Sequence, residues 1–254
     1  MAEPLLRATG LTKQYGQVKA LQGADFDVHA GEVVALIGDN GAGKSTLVRM
    51  LSGSEQPDGG SIEFDGRNVS LNTPIEARRL GIETVFQDLA LAPHLDPIQN
   101  LFLGREVMRR GLLGRLGFMD TASMRASGTQ TFAGLGSTVR NLSGPIGSMS
   151  GGQKQSIAVA RAAAWASKVI FLDEPTAALG VVQTKGVLDL IRRVRDEGIG
   201  VVFISHSMPH VLEVADRVQV MRQGRRVITY RGPDSSVEEL VGAMTGALDV
   251  KDAA

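Results

Sequence analysis

The chain of 254 residues is 43% hydrophobic and 21% charged, a composition typical of one globular domain with subdomains and not of a disordered chain. Its 27 basic and 27 acidic residues cancel, so it has no overall basic excess of the kind that binds nucleic acid or anionic lipid. The absence of cysteine excludes disulfides and thiolate metal sites, and the longest nearly apolar stretch, 157–166, is too short to cross a bilayer. We therefore expect any membrane association to come through other subunits.

The first 37 residues predict a small antiparallel sheet that leads into a buried strand. Candidate turns between short strands fall at Gly10, Gly16, Gly23 and Gly31. Phe26 and Val28 alternate with two aspartates, as expected for a strand with one face in the core. The run from Val33 to Ile37 is apolar throughout, which is typical of a strand buried on both faces.

A glycine-rich loop joins this strand to a helix predicted over residues 45–52. The loop matches the phosphate-binding pattern G-x-x-x-x-G-K-[ST] with Gly38, Asp39, Asn40, Gly41, Ala42, Gly43, Lys44 and Ser45. Its glycines let backbone N–H groups reach phosphate oxygens, and the helix N-terminus adds a partial charge of about +0.5. In this interpretation Lys44 neutralises the β and γ phosphates of ATP, Ser45 holds Mg²⁺, and Thr46 joins the nucleotide contacts.

The middle of the chain changes character after two further predicted strands, at 61–64 and 82–86. Residues from 88 to about 160 show helical patches interrupted by many glycine, proline and serine residues, which predicts an inserted, mostly helical subdomain. We interpret residues 4–246 as a single nucleotide-binding domain and residues 247–254 as a frayed tail.

The last third of the chain returns to alternating helices and strands. Helices are predicted over 152–165 and 182–196, and strands over 169–172 and 200–204, before a hairpin that turns at Gln223-Gly224. Ser235 and Glu238 have the spacing of a capping box, which predicts the start of a final helix. The pattern as a whole predicts an α/β fold with a mostly parallel sheet.

Polar residues follow three of the predicted strands. Asp173 and Glu174 follow the apolar run at 169–172, where Asp173 is suited to bind Mg²⁺ and Glu174 to act as general base on the attacking water. Gln87 follows the strand at 82–86, and His206 comes after the strand at 200–204. Because the carboxyl ends of parallel strands meet at one sheet edge, we expect these side chains near the phosphate loop.

A second helix start suited to phosphate binding lies at Ser150, Gly151, Gly152 and Gln153. One nucleotide cannot use both helix starts within a monomer unless the fold brings them together. The string Leu142-Ser143-Gly144-Pro145 imitates the beginning of this motif, but it continues into Ile146 and not into a helix. We therefore exclude the earlier string as a phosphate site.

These motifs occur in the order found in the ATP-binding cassette (ABC) family, which the whole chain resembles. The resemblance implies a P-loop NTPase core with an N-terminal antiparallel β subdomain and an inserted α-helical subdomain, and it implies hydrolysis of ATP with Mg²⁺. It also implies that Tyr15 stacks on adenine and that His206 senses the γ-phosphate. Gln87 would join the Mg²⁺ and γ-phosphate contacts and link them to a membrane subunit.

The resemblance further implies that Ser150 to Gln153 bind the nucleotide held by a second subunit, so that two ATP molecules lie between two cassettes of a homodimer. Two positions depart from the family pattern. Met149 stands where the family usually has leucine, a change that conserves volume. Gly180 stands where the family commonly has aspartate, which puts the communication between the two ATP sites in doubt.

Within the family, the strings GDNGAGKSTL, VFQDLALAPHLDPIQNLFLGRE and GSMSGGQKQSIAVARA resemble the ATPases of bacterial monosaccharide importers. This resemblance implies a peripheral subunit on the cytoplasmic face of the inner membrane. Its partners would be permease subunits and, indirectly, a solute-binding protein, with no nucleic acid. We expect residues 87–105, including the apolar run from Leu101 to Leu103, to dock on the permease.

Three alternative functions stay open from the residues alone. A soluble cassette protein acting on DNA or ribosomes would show tandem cassettes, a long coiled coil or a basic surface. Another P-loop class, such as a small-molecule kinase or a GTPase, would leave Ser150 to Gln153 without a role. A regulatory module that binds ATP without turnover is opposed by Glu174.

Overall fold

The computed structural model describes residues 3–134, 141–177 and 179–247, and the chain divides into two compact units. One unit comprises Met1–Gln87, Trp165–Pro175 and Ile191–Ala254, and the other comprises Asp88–Ala164 and Thr176–Leu190. The described strands are β1 (Leu6–Tyr15), β2 (Val18–Val28), β3 (Val33–Ile37), β4 (Gly59–Phe64), β5 (Arg67–Asn68), β6 (Ile82–Val85), β7 (Val169–Asp173), β8 (Gly200–Ile204), β9 (Arg217–Arg222) and β10 (Arg225–Arg231). The described α-helices are α1 (Lys44–Leu51), α2 (Pro74–Arg79), α3 (Pro97–Leu101), α4 (Leu112–Arg115), α5 (Thr121–Gly134), α6 (Gly151–Trp165), α7 (Val181–Asp196), α8 (Met208–Val214) and α9 (Val237–Thr245).

A six-stranded, mostly parallel sheet forms the centre of the first unit, in the order β10-β9-β3-β8-β7-β6. Strand β3 pairs in parallel with β8 and β9, and β7 pairs in parallel with β6 and β8, whereas β10 runs antiparallel to β9. Every residue of β3, β7 and β8 is buried, which explains why these strands carry no polar side chain except Asp173 at the end of β7. Residues that follow the parallel strands β3, β6, β7 and β8 therefore emerge at the same sheet edge.

A four-stranded antiparallel sheet with the order β2-β1-β4-β5 completes the strand content described for this unit. Phe26 and Val28 are buried, as the alternating pattern predicts. The turns predicted at Gly10 and Gly23 are wrong, because both residues lie inside long strands, with φ of +61° and +86°. The β1–β2 register shifts at both glycines, so they form β-bulges, and Gly10 donates its N–H to Asp25 Oδ1 at 2.8 Å.

One apolar core joins the two sheets of the first unit through α1. Phe26 of β2 and Phe171 of β7 are buried with their ring centroids 6.4 Å apart. Leu47 and Leu51 of α1 are fully buried in the same cluster. The phosphate-loop helix is therefore anchored by close-packed side chains.

The second unit is helical where its structure is described. Helix α3 begins with a capping box in which Asp96 Oδ1 accepts the Gln99 N–H at 2.7 Å and Gln99 Oε1 accepts the Asp96 N–H at 3.0 Å. Arg125 of α5 donates to the other carboxylate oxygen of Asp96 at 2.9 Å. A Cβ atom at Gly128 of α5 would lie 2.8 Å from Ile98 Cδ1, so this glycine permits the close approach of α5 to α3.

The predicted fold class is confirmed, and most predicted elements lie within two residues of their observed bounds. The final capping box is shifted by one residue, because Ser236 and Glu239 form it; the Ser235 hydroxyl instead donates to the Arg231 carbonyl. Treating residues 4–246 as one domain with an insert at about 88–160 stays a prediction. Residues 248–254 of the expected tail lie outside the described residues. No helix in the described ranges is long and apolar enough to span a membrane.

Candidate nucleotide site

The loop between β3 and α1 has the backbone conformation that its glycines predict. Gly38 and Gly43 have φ of +154° and +101°. A Cβ atom at Gly38 would lie 2.3 Å from the Met221 carbonyl oxygen, and one at Gly43 would lie 2.7 Å from that of Ala20. Both positions therefore require glycine, as the phosphate-loop pattern predicts.

Lys44 is held at this loop by two main-chain oxygens. Its Nζ donates to the carbonyl of Gly38 at 2.6 Å and to that of Asp39 at 3.0 Å. Burial lowers the pKa of Lys44, while the carboxylates of Glu174 and Asp173 act against this shift. These influences place the ammonium group and both strand-end acids in one electrostatic neighbourhood of the first unit.

Asp173 is the last residue of β7, and Glu174 follows it. The surroundings of the two acids differ. Asp173 is 8% exposed, and burial followed by the Glu174 charge raises its pKa, against the opposing effect of Lys44. Glu174 adopts a left-handed φ of +53° and donates its backbone N–H to the Ile204 carbonyl at 3.0 Å. The strand therefore ends at Asp173, and Glu174 leaves it with a left-handed backbone conformation.

Glu174 and His206 contact each other directly, although the sequence predicts only that they share a sheet edge. His206 Nδ1 lies 2.9 Å from Glu174 Oε1. An ionised carboxylate only accepts hydrogen bonds, so this contact requires a proton on Nδ1. The His206 side chain is 74% exposed and that of Glu174 is 17% exposed, so the imidazole lies on the solvent side of the acid.

Tyr15 lies at the end of β1, and its hydroxyl is hydrogen-bonded to Glu55. Burial, followed by the Glu55 contact, raises the pKa of Tyr15, and a hydrogen bond from Thr46 opposes this shift. The Lys13 ammonium lies 5.8 Å from the ring centroid, and Tyr15 is 41% exposed. The ring is therefore oriented beside the first turn of α1 and remains accessible.

Two polar residues of the predicted site are exposed in the first unit. Ser45 lies in the first turn of α1, and Gln87 follows β6, which pairs with β7 through Val85 and Leu172. The parallel pairing brings Gln87 to the sheet edge that carries Asp173.

Of the predicted docking run in the second unit, Leu101 and Phe102 are buried, at 2% and 4% exposure, and Leu103 is 49% exposed. Of these three residues only Leu103 can contribute to a surface, because Leu101 and Phe102 are buried where α3 packs against α5. Docking of residues 87–105 on a permease stays a prediction.

Ser150 to Gln153 belong to the second unit, where they begin α6 as a reciprocal cap. Ser150 donates its N–H to Gln153 Oε1 at 3.0 Å, and Ser150 Oγ accepts the Gln153 N–H at 3.3 Å. The Ser150 hydroxyl proton is not used by this cap and can be donated to a phosphate oxygen. Gly152 packs against α7, because a Cβ there would lie 3.1 Å from Gln183 Cγ. The excluded string at 142–145 leads into a short 3₁₀ turn and no α-helix.

Two contributors to the site are not evident from the sequence. Glu55 orients Tyr15 from a position 40 residues away. Arg49 of α1 lies 3.6 Å from Glu55, and its charge also opposes the rise in the pKa of Asp173. Because these pairs arise from tertiary packing around α1, no local motif marks them.

Comparisons with known proteins agree with this geometry. A family model described as ABC transporter matches residues 21–177. The chain is 48% identical to the fructose import ATP-binding protein FrcA of Rhizobium meliloti, over 96% of this chain and 95% of that protein. It is 40% identical to the ribose import ATP-binding protein RbsA 1 of Rubrobacter xylanophilus, over 96% of this chain and 47% of that longer protein. A crystal structure of a nucleotide-free ATP-binding cassette from an ABC transporter matches with a TM-score of 0.78 at 25% identity, over 98% and 99% of the two chains.

Proposed function

The chain belongs to the ABC transporter family of ATP-binding ATPases, and we propose that it powers the import of a monosaccharide through separate permease subunits. The supporting observation is the group formed by Lys44, Asp173, Glu174 and His206 at one sheet edge of the first unit. The names of the relatives, which are sugar import proteins, support the choice of cargo. They do not favour a DNA- or ribosome-associated protein, a kinase or GTPase, or a regulatory module.

Glu174 is the proposed general base. Its carboxylate takes a proton from the attacking water while the water oxygen bonds to the γ-phosphorus and the bond to the departing ADP oxygen breaks. His206 fixes the carboxylate through Nδ1, and its exposed imidazole stands where it can contact the γ-phosphate. Lys44 exchanges the Gly38 and Asp39 carbonyls for phosphate oxygens when nucleotide binds.

The donor set fits Mg²⁺, which we propose as the metal. Ser45 supplies an exposed hydroxyl, Asp173 a buried carboxylate and Gln87 an amide oxygen, all hard oxygen ligands of the kind that Mg²⁺ prefers. Bound Mg²⁺ would neutralise charge on the β and γ phosphates. Tyr15, already oriented by Glu55, is the proposed surface for adenine stacking.

A second copy of the chain completes the proposed site. Ser150, Gly151, Gly152 and Gln153 would bind the nucleotide of the partner through the start of α6 and the available Ser150 hydroxyl. The Gly180 carbonyl accepts the N–H of Thr184 at 2.9 Å at the start of α7. Gly180 has no side chain to contribute there. We propose that communication between the two sites is weaker than in cassettes with an acid at this position.

The subunit would work at the inner face of the plasma membrane through its permease. Reconstitution with the permease and a solute-binding protein in vesicles tests this assignment, with ATP supplied first inside the vesicles and then outside. Uptake of one sugar from a monosaccharide panel should occur only when the ATP is on the side where it reaches the cassettes. Glu174→Gln should abolish uptake, whereas the surface change Glu238→Gln should preserve it. ATP turnover without uptake of any monosaccharide would contradict the proposed cargo and leave the ATPase assignment intact.

A further inference from the structure

Residues 107–119 of the second unit form a largely exposed segment, called the arm below. Its two ends are joined by an isolated bridge between Met108 and Met119. Two backbone hydrogen bonds flank this bridge: Arg109 donates to the Phe118 carbonyl at 2.9 Å, and Asp120 donates to the Val107 carbonyl at 2.6 Å. The arm is thus closed at its base like a hairpin.

The tip of the arm is folded by its own backbone. The single turn of α4 follows Gly111, which has a φ of +75°, and Phe118 donates its N–H to the Leu113 carbonyl at 3.1 Å. A Cβ atom at Gly114 would lie 1.8 Å from the Arg109 carbonyl oxygen, so α4 packs directly against the backbone at Arg109. The arm presents its side chains from a defined scaffold and not from a structureless loop.

The arm exposes an unusual amount of apolar surface. Seven of its 13 residues are exposed large apolar side chains: Val107, Met108, Leu112, Leu113, Leu116, Phe118 and Met119. Leu112 and Leu116 are one helical turn apart and are 71% and 65% exposed, and Phe118 is 54% exposed. Isolated exposed apolar residues are ordinary, but such a cluster marks a surface that binds a protein partner or a membrane.

The charge of the arm indicates which of these the apolar surface binds. Residues 107–119 contain three exposed arginines, Arg109, Arg110 and Arg115, and no acidic residue, although the chain as a whole has no net charge. Within the described part of the chain, none of these guanidinium groups has an ion-pair partner. Exposed Leu, Phe and Met beside unpaired Arg is the composition that binds the interface of an anionic bilayer.

We infer that the arm is a membrane-contact site that inserts its apolar tip into the headgroup region of an anionic lipid surface. Cytoplasmic loops of membrane proteins carry an excess of Lys and Arg, so a permease loop would repel three arginines, whereas anionic headgroups attract them. The arm therefore adds a direct lipid contact to the contacts made through the permease. It revises the expectation that membrane association comes only through other subunits, and it does not depend on which sugar is carried.

Sedimentation of the full chain with lipid vesicles tests the arm. Wild-type protein should bind vesicles of phosphatidylcholine mixed with phosphatidylglycerol, bind pure phosphatidylcholine weakly, and lose binding as salt rises. Changing all three arginines to glutamine should weaken binding about 10²-fold, since each basic residue near an anionic surface contributes about 1 kcal/mol. The matched control changes the exposed Arg67, Arg79 and Arg231 to glutamine and should retain binding.

The apolar contribution is tested separately. Leu112→Ser with Leu116→Ser should weaken binding at least about tenfold, whereas Ile75→Ser with Val241→Ser, also at exposed sites, should not. Because the chain has no cysteine, Leu116→Cys can carry a single environment-sensitive fluorophore, with Asn68→Cys as the control. The label at 116 should enter an apolar medium on binding, and the label at 68 should stay in water.

Several results would overturn the lipid assignment. These are equal binding to neutral and anionic vesicles, an arginine-free arm that binds as well as wild type, or a label at Leu116 that stays in water while the protein sediments. Binding of the arm to detergent-solubilised permease, with none to vesicles, would make it a protein-docking surface. The arm variants should hydrolyse ATP at the wild-type rate. If the wild-type chain itself does not hydrolyse ATP, that result contradicts the proposed function and not the lipid assignment of the arm.

Discussion

His206 Nδ1 lies 2.9 Å from Glu174 Oε1, which joins two residues that stand 32 positions apart in the sequence. The contact arises because β7 and β8 are adjacent parallel strands, with Asp173 in register with Ile204. Glu174 and His206 each follow the end of one of these strands. The proposed base and the proposed phosphate sensor therefore form one hydrogen-bonded unit.

Glu174→Gln should retain ATP binding but lower turnover at least about 10²-fold, because glutamine preserves the shape of the side chain and cannot accept a proton. Single-turnover hydrolysis and equilibrium nucleotide binding measure the two effects separately. Glu238→Gln, an exposed change in α9, is the matched control and should leave both unchanged. Turnover within a few-fold of wild type in Glu174→Gln would remove this residue from the base role.

His206→Ala should also lower turnover, and its effect should not add to that of Glu174→Gln. If His206 acts partly by holding the Glu174 carboxylate, the double variant should be about as slow as the slower single variant. The measurement is a double-mutant cycle on the hydrolysis rate, with the exposed His94→Ala as the control. Losses that multiply in the double variant would show that the two residues act independently.

Asp173→Asn should stabilise the nucleotide-free chain at neutral pH. Burial raises the pKa of Asp173 above its ordinary value of 3.8, so the folded chain holds this proton more tightly than the unfolded chain. The stability from this group is fully present below the unfolded-state pKa and is lost as the pH rises through the folded-state pKa. Removing the charge should raise the Tm at pH 7 by about 2–4 °C, the shift that ~1 kcal/mol produces in a chain of this length.

Thermal melts across the acid range provide the check on this prediction. The gain from Asp173→Asn should shrink as the pH falls through the folded-state pKa, where wild-type Asp173 becomes protonated. The control Asp65→Asn, at an exposed turn, should change the Tm little at any pH. MgATP should stabilise wild type more than Asp173→Asn, since the variant lacks a proposed metal ligand. A lower Tm for Asp173→Asn at pH 7 would contradict the cost assigned to burying this carboxylate.

The strands and the site motifs could be predicted because they are local patterns. The apolar runs of β3, β7 and β8 and the glycine spacing at 38–43 carry their own signals. The bulges at Gly10 and Gly23 could not be distinguished from turns, because a positive φ suits both. The Glu55 contact with Tyr15 and the burial of Phe102 depend on tertiary packing, which the local sequence does not contain.

Leu103→Asp should reduce sugar uptake by the reconstituted transporter at least about tenfold while the isolated chain keeps its ATP turnover. Leu103 is the residue of the predicted docking run that the second unit leaves exposed, at 49%. An unpaired carboxylate in an apolar contact costs more than the ~1.4 kcal/mol that corresponds to a tenfold change. Val241→Asp, at 43% exposure on α9, is the control. Normal uptake with Leu103→Asp would exclude this residue from the permease contact.

Lys44→Ala and Ser150→Arg should complement each other when the two variants are mixed. Lys44 belongs to the first unit and is the first residue of α1, and Ser150 belongs to the second unit and precedes α6. The N-terminus of each helix is suited to bind phosphate. If one ATP site combines Lys44 of one subunit with Ser150 of its partner, each variant homodimer is defective at both sites. In the mixed dimer both lesions fall in one site, and the other site is intact.

The complementation is best measured as ATP-dependent dimerisation, with Glu174→Gln added to both subunits so that bound nucleotide is retained. Mixed dimers isolated by two different tags should bind one ATP at near-normal affinity, while either parent and a differently tagged pair of Lys44→Ala subunits should not. Binding is the sharper measurement because Gly180 leaves the communication needed for hydrolysis without the usual acid. Mixed dimers that form and yet bind ATP no better than either parent would show that Ser150 acts within its own chain.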